Sequence, residues 1–129
     1  MVCPMTGERL LIVDDEENLR AMLAAALRSS GFEVHVAATG TDALGAVTRE
    51  RPDLIVLDVM LPDLNGFEVY RHLRSIGDRT PILFVTAVDE SEAKMHGIVF
   101  TRLNHLAKPF SISDLVARVR AGLRGPGDE

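Results

Sequence analysis

The 129-residue sequence is short of cysteine, with Cys3 its only one. A single thiol cannot close an intrachain disulfide, so the fold must rest on its own core, and such cysteine usage fits a reducing, cytoplasmic compartment. Cys3 itself falls in what reads as a loose N-terminal tail, residues 1–8, and is expected to be structurally idle. Long apolar runs are missing too. None approaches the roughly 18 residues a membrane span requires, and MVCPMTGERL has neither a basic n-region nor an apolar h-region, so no span or secretory leader is expected. Excess positive charge is also absent. At a formal charge of −5 the chain is not expected to bind nucleic acid unaided, because that affinity comes mainly from Lys and Arg neutralising phosphates. No internal repeat is visible. His35, His72 and His96 show no metal-ligand spacing and read as surface or edge residues.

What is present is periodic. The length suggests one domain, which at this size buries about two thirds of its unfolded surface. Five short runs rich in Val, Ile and Leu predict strands: LLIV (10–13), VHVA (34–37), DLIVLD (53–58), PILFVT (81–86) and LNHLA (103–107). Helical spacing lies between them. Leu19, Met22, Leu23, Ala26 and Leu27 share one face of segment 16–30, with Gly31 where a left-handed C′ residue belongs. Ile112, Leu115, Val116, Val119 and Leu123 stripe segment 112–124, with Ser111 and Asp114 resembling a capping box. Segments 41–50, 66–76 and 90–98 are the remaining helices; Val69, Tyr70, Leu73 and Ile76 line the second of these, Ala93, Met95 and Ile98 the third. Alternating strands and helices predict an α/β fold, doubly wound (flavodoxin-like) with five helices: a five-stranded parallel sheet, order 2-1-3-4-5 being a common one for such a sheet and the one expected here.

In such sheets ligands bind beyond the carboxyl ends of the strands. Asp14 and Asp15 follow strand 1, Asp58 ends strand 3, Thr86 ends strand 4 and Lys108 ends strand 5. Strands 1 and 3 are neighbours in this order, so three carboxylates converge. Two like charges about 4 Å apart repel by about 4 kcal/mol at an effective dielectric of 20, so something positive must offset them. An all-oxygen cup suits Mg²⁺, which takes one or two carboxylates and keeps its other positions for waters and phosphoryl oxygens. A carboxylate can also act as nucleophile and form an aspartyl-phosphate. Asp58 is then the candidate nucleophile, with Lys108 pairing with the phosphoryl group and Thr86 donating its hydroxyl. Each residue alone has a plainer role. Asp14 or Asp15 could cap the helix beginning near Glu16, Asp58 could form a turn, Thr86 could be a β-branched strand residue, and Lys108 could be a snorkelling surface lysine.

Together, LLIVDDEEN, IVLDVMLPDLNGFEV, ILFVTA and AKPF resemble, in order and spacing, the receiver domain of two-component response regulators, over about Arg9 to Arg124. The resemblance implies that Asp15, Asp58 and the backbone carbonyl of Met60 ligate Mg²⁺, with Asp14 helping through water. It further implies that Asp58 accepts phosphate from a sensor histidine kinase, that Thr86 switches rotamer, that Lys108 senses the phosphoryl group, and that the bond before Pro109 is cis. In that family the signal leaves through helix 4, strand 5 and helix 5, often by dimerisation, and SDLVARVRAGLR is most similar to the subgroup whose receivers precede a winged-helix DNA-binding domain. GPGDE, residues 125–129, falls where that subgroup's linker would begin, which fits an excised receiver or a free-standing regulator.

The chain also departs from that pattern. TRLNH stands at 101–105 where the subgroup carries a Gly-Ala-Asp-Asp-Tyr type run. His105 replaces the switch aromatic, Leu103 and Asn104 replace two acids, and Arg118 and Arg120 lose their expected partners across a dimer, while a Lys94 to Asp114 pair survives. The helix 4 to strand 5 turn is expected to change conformation, and dimerisation through this face to be weak or altered. Two alternatives keep parts of the picture. A small phosphatase of the haloacid dehalogenase type also uses a strand-end aspartate, Mg²⁺, a threonine and a lysine, but favours a D-x-D pattern after strand 1. A pseudo-receiver would keep the fold for protein contacts alone.

Overall fold

The structure is a computed structural model and describes residues 7–124; residues 1–6, including Cys3, and the GPGDE stretch at 125–129 lie outside the described residues. Its strands are β1 (Arg9–Val13), β2 (Glu33–Ala37), β3 (Leu54–Leu57), β4 (Ile82–Thr86) and β5 (His105–Ala107). The helices between and after them are α1 (Glu17–Ser29), α2 (Gly40–Glu50), α3 (Gly66–Ser75), α4 (Glu90–Met95) and α5 (Ile112–Arg124). All pairings are parallel, as the alternation of strands and helices predicts, and the order is β2-β1-β3-β4-β5, the common order expected for such a sheet.

Strand residues alternate between two cores because successive side chains point to opposite faces. Leu11, Val13, Ile55, Leu57, Ile82 and Phe84 pack with α2, α3 and α4. Leu10, Ile12, Leu54, Val56, Leu83 and Val85 pack with α1 and α5. Helices cover both faces, so the three central strands read as continuous apolar runs.

Several boundaries differ from expectation for local reasons. Glu8 was expected in the loose tail, yet its carbonyl accepts from the Glu33 N–H at 3.0 Å, which ties it to β2. Helix 4 stops at Met95 rather than 98 because Gly97, at φ 77°, turns the chain back. Its N–H bonds to the Lys94 carbonyl and the Ile98 N–H to the Ala93 carbonyl, the two bonds of a Schellman end, which folds Ile98 into the core. Gly31, at φ 100°, ends α1 in the same way. Met22, Ile76 and Met95 were placed on apolar stripes but are exposed, because each stripe is narrower than the spacing allows. Helix α1 buries only Leu23, Ala24 and Leu27. Strand 5 begins at His105 rather than 103, since Leu103 and Asn104 are taken into a turn.

Candidate functional site

The carboxyl ends of β1, β3, β4 and β5 converge as the topology requires. Register carries them there: Val13 pairs with Leu57, Leu57 with Phe84, and Thr86 with Ala107, so Asp14, Asp58, Thr86 and Lys108 leave the sheet at one edge. Asp14, Asp15 and Asp58 each offer a carboxylate oxygen, and these atoms lie within 4.8 Å of one another. Asp14 and Asp58 are buried, at 1% and 4% exposure, whereas Asp15 is exposed.

Lys108 is the counter-charge. Its Nζ donates to Asp58 Oδ2 at 2.8 Å and approaches Asp14 Oδ2 at 3.5 Å. The strand holds it there, because the Lys108 N–H donates to the Thr86 carbonyl at 3.1 Å. The next peptide, Lys108–Pro109, is cis. Burial alone pulls an ammonium pKa down, but the hydrogen bond and charge of Asp58, with help from Asp14, outweigh it and hold Lys108 above its usual value. Asp14 goes the other way from a normal carboxylate. Burial pushes its pKa up and Asp58 adds to the rise, against opposition from the Glu16 N–H and Lys108. Three carboxylates facing one ammonium leave negative charge in excess. The donor set is all oxygen, clustered and electrostatically underpaid, so it fits a hard divalent cation such as Mg²⁺.

Local hydrogen bonds fix the acids. Asp58 Oδ1 accepts from the Met60 N–H at 3.1 Å, and Asp14 Oδ1 from the Glu16 N–H at 2.9 Å. Neither Asp14 nor Asp15 caps α1; Glu16 does, its side chain accepting from the Leu19 N–H at 2.6 Å. Gly66 lets the loop after β3 close on the nucleophile's backbone, since a Cβ there would meet the Asp58 carbonyl oxygen at 2.5 Å. Thr86 is fully buried and its Oγ1 accepts from the Val88 N–H at 3.2 Å, which leaves the hydroxyl proton to donate.

Three contributors were not foreseen. Arg20 donates from Nη1 to the Asp14 carbonyl at 2.8 Å, bracing the turn after β1. Asp63, in the loop after β3, accepts from the Gly40 and Thr41 N–H groups at 2.8 and 2.9 Å, capping α2 from a distance. Its bonds to the Thr41 side chain and backbone hold its pKa far below the usual carboxylate range. Phe100 stacks on His105, with ring centroids 3.9 Å apart and planes 6° apart. Only Arg20 has a partial sequence signal, as a basic residue six positions after an acidic strand end.

His105 lies on the α4, β5 and α5 side, apart from the acidic cup. Arg118 and Arg120, expected to be left unpaired, have partners within the chain. Arg118 donates to the Arg102 and His105 carbonyls at 3.2 and 2.6 Å, and the Arg120 guanidinium sits 5.9 Å from the Phe32 ring centre. Lys94 and Asp114 are both exposed, on α4 and α5. The turn from 101 to 104 is closed by its own side chains. Asn104 Oδ1 accepts from the Thr101 N–H at 2.6 Å, and Nδ2 donates to the Val99 carbonyl at 3.0 Å. Among the described residues no helix is long and apolar enough to cross a membrane.

Comparison with known proteins agrees with this geometry. The family model for the response regulator receiver domain matches residues 10–120. Response regulator MprA of Mycobacterium leprae (strain TN) is 46% identical over 116 residues, covering 90% of this chain and 51% of its own. The "Probable transcriptional regulatory protein TcrX" of Mycobacterium tuberculosis is 43% identical over 118 residues, covering 92% and 50% respectively. This chain therefore spans about half the length of these curated relatives. Among solved structures, the Francisella response regulator 1452 receiver domain superposes with a TM-score of 0.81 at 28% identity, covering 92% of this chain and 98% of that one. The match sets the small-phosphatase alternative aside: the chain belongs to the response regulator receiver domain family.

Proposed function

We propose that this chain is a cytoplasmic phosphorylation switch in which Asp58 accepts a phosphoryl group from a sensor histidine kinase. The observation that carries the proposal is the lysine bridge, with Lys108 Nζ 2.8 Å from Asp58 and 3.5 Å from Asp14 beside a third carboxylate. An Asp58 carboxylate oxygen forms a bond to phosphorus as the bond from phosphorus to the donor breaks, and the leaving group departs with that electron pair. Asp58 is held for this by the Met60 N–H on its other oxygen. Lys108 passes from the carboxylate to the phosphoryl oxygens, and Thr86 donates its remaining proton to the same group. Asp15, Asp58 and the Met60 carbonyl would hold Mg²⁺, with Asp14 acting through water. When bound, the ion supplies positive charge that balances the phosphoryl oxygens. Water later hydrolyses the acyl phosphate, releasing inorganic phosphate and restoring the Asp58 carboxylate, so the chain supports its own phosphotransfer and autodephosphorylation only.

The domain we assign is residues 9–124, and the output is transcriptional, through a winged-helix DNA-binding domain of the kind that follows receivers of this subgroup. Movement of Thr86 and Lys108 reaches the α4, β5 and α5 face, where Lys94, Asp114, Arg118 and Arg120 are the interface residues. Dimerisation there is weak or altered, because Leu103 and Asn104 offer no carboxylate and Arg118 is engaged internally. Sedimentation with beryllofluoride and Mg²⁺ should show monomer; a tight symmetric dimer through this face would refute that part.

The test of the switch is intact mass after incubation with acetyl phosphate and Mg²⁺. Wild type should gain one phosphoryl group and Asp58→Ala none. No adduct on wild type would leave a pseudo-receiver, used for contacts alone.

A further inference from the structure

His105 is held in an unusual way. Its ring lies flat on Phe100, at 3.9 Å and 6°, and its Nε2 is the one buried side-chain nitrogen or oxygen without a hydrogen-bond partner among the described residues. Phe100 in turn is part of a run of aromatic contacts with Phe84 and Phe67, so the seat under the imidazole is rigid core. On the open side, a cleft of about 480 Å³ is lined by Glu90, Thr101, Arg102 and Arg118 together with the two stacked rings.

The protonation states of imidazole differ in what they ask of this seat. A neutral ring can carry its single proton on Nδ1 and leave Nε2 as a bare lone pair. An imidazolium must carry protons on both nitrogens, and the second then points at no acceptor. Such a charged, unpaired donor is far costlier to bury than an unpaired lone pair. We infer that the His105 ring is a proton-released plug: uncharged, it stacks on Phe100, and on acidification it swings out of its seat, uncovering Phe100 on the α4, β5 and α5 face.

The surrounding charges decide whether the ring could stay. Arg118, from α5, holds the His105 carbonyl at 2.6 Å and repels a ring cation, and Arg102, from the preceding turn, lines the same cleft. Glu90, from α4, acts in the opposite sense. Burial first, then Arg118, place the ring's pKa below the ordinary imidazole value, with Glu90 offsetting only part of this. An imidazolium over Phe100 would gain a cation–π attraction, but Phe is a weaker partner for it than Trp, and the contact leaves Nε2 unpaired.

The direction follows from linkage. A ring that has swung into solvent titrates near 6.5, while the seated ring binds its proton only at lower pH, so between those two values falling pH favours release. Each pKa unit separating the two positions changes their ratio about tenfold. The released ring adds a third positive charge beside Arg102 and Arg118 and bares an aromatic face. Neither step needs a phosphoryl group or Mg²⁺, so the inference stands apart from the proposed phosphotransfer.

The test is an NMR titration of the isotope-labelled full chain, without Mg²⁺ or phosphodonor, from about pH 8 to about pH 5. The His105 imidazole should protonate at lower pH than an unperturbed histidine, and ring-to-ring NOEs with Phe100 should vanish in step with its protonation. His105→Phe keeps a flat ring in the seat but cannot titrate, and its Phe100 signals should be insensitive to pH. NOEs retained by a protonated ring, or Phe100 signals that still move with pH in His105→Phe, would overturn the inference. The wild-type titration decides on its own if that variant does not fold.

Discussion

His105 opens the short strand β5 and Lys108 follows its last residue, three positions on, and the two are stabilised in opposite ways. Lys108 enters a half-buried site where two carboxylates share its ammonium and a third, Asp15, stands beside them, so negative charge remains in excess. His105 enters a site where an aromatic ring meets it and its buried nitrogen meets nothing. The first site is under electrostatic tension, which a cation or a phosphoryl group can relieve. The second is under hydrogen-bond tension, which water or a donor to the bare nitrogen can relieve. The acidic cup should therefore respond to ions, and the ring seat to packing and protons.

The largest effect expected from breaking this contrast is at the ring seat. Phe100 is 8% exposed and touches Phe67, Phe84 and His105. Phe100→Ala should cost about 3 kcal/mol by urea unfolding, the low end of the range for buried Phe truncation, since the site borders a cleft. The loss should be indifferent to Mg²⁺. A Mg²⁺-dependent deficit would mean that the two sites are not separate.

Lys108→Met comes next. Removing one partner of a buried pair costs about 3–5 kcal/mol, but the Lys108 side chain is 26% exposed, so about 2 kcal/mol is expected here. Because the folded-state pKa of Lys108 is raised, its contribution is complete below 10.5 and disappears only as pH rises through the higher folded value. Saturating Mg²⁺ should recover much of the deficit by replacing the lost positive charge. A deficit untouched by Mg²⁺ would show that packing, not charge, is what Lys108 supplies.

The same contrast explains what the sequence made legible. The parallel sheet and the acidic cup could be read because both follow from simple rules, alternation of periods and like charges at strand ends that a common strand order makes adjacent. Lys108 beside Asp58 follows from register once the order is known. The cap of α1 could not be read, because DDEE offers four acids in a row and only the turn angle selects Glu16. Asp63 was invisible as the cap of α2, since its partners are 22 and 23 residues away. The seat of His105 was equally hidden. Its histidine is plain in the sequence, but the flat contact with Phe100 depends on how the turn from 96 to 104 folds back, and that rests on Gly97 and on the two bonds of Asn104.

A smaller effect should separate stability from function inside the cup. Asp14 is buried and its pKa is raised, so at neutral pH its charge lowers the stability of the metal-free fold. Asp14→Asn keeps an oxygen for the Glu16 N–H and leaves Lys108 paired with Asp58, so it should raise stability by about 1 kcal/mol without Mg²⁺. The advantage should shrink as pH falls through the raised folded pKa toward 3.8, where wild-type Asp14 becomes neutral as well. The stabilisation that wild type gains from added Mg²⁺ should weaken in the variant. Thermal melts across pH, with and without the ion, check all three statements; a variant less stable than wild type at pH 7 would contradict them.

The smallest effect belongs to the turn that carries the ring seat. Asn104→Ala removes the acceptor for the Thr101 N–H and the donor to the Val99 carbonyl, both at an exposed position. Water can replace each bond, so the cost should be under about 1 kcal/mol. Its value lies in where the change is felt. Because Asn104 directly precedes His105 and its carbonyl accepts from the Phe84 N–H at 2.7 Å, loosening the turn should blur the stacking of His105 on Phe100 while the Asp58 and Lys108 resonances stay in place. Chemical-shift changes confined to residues 96–105 would support two independently held sites at the two ends of β5. Changes that run through to Lys108 would show that the turn and the acidic cup move as one body.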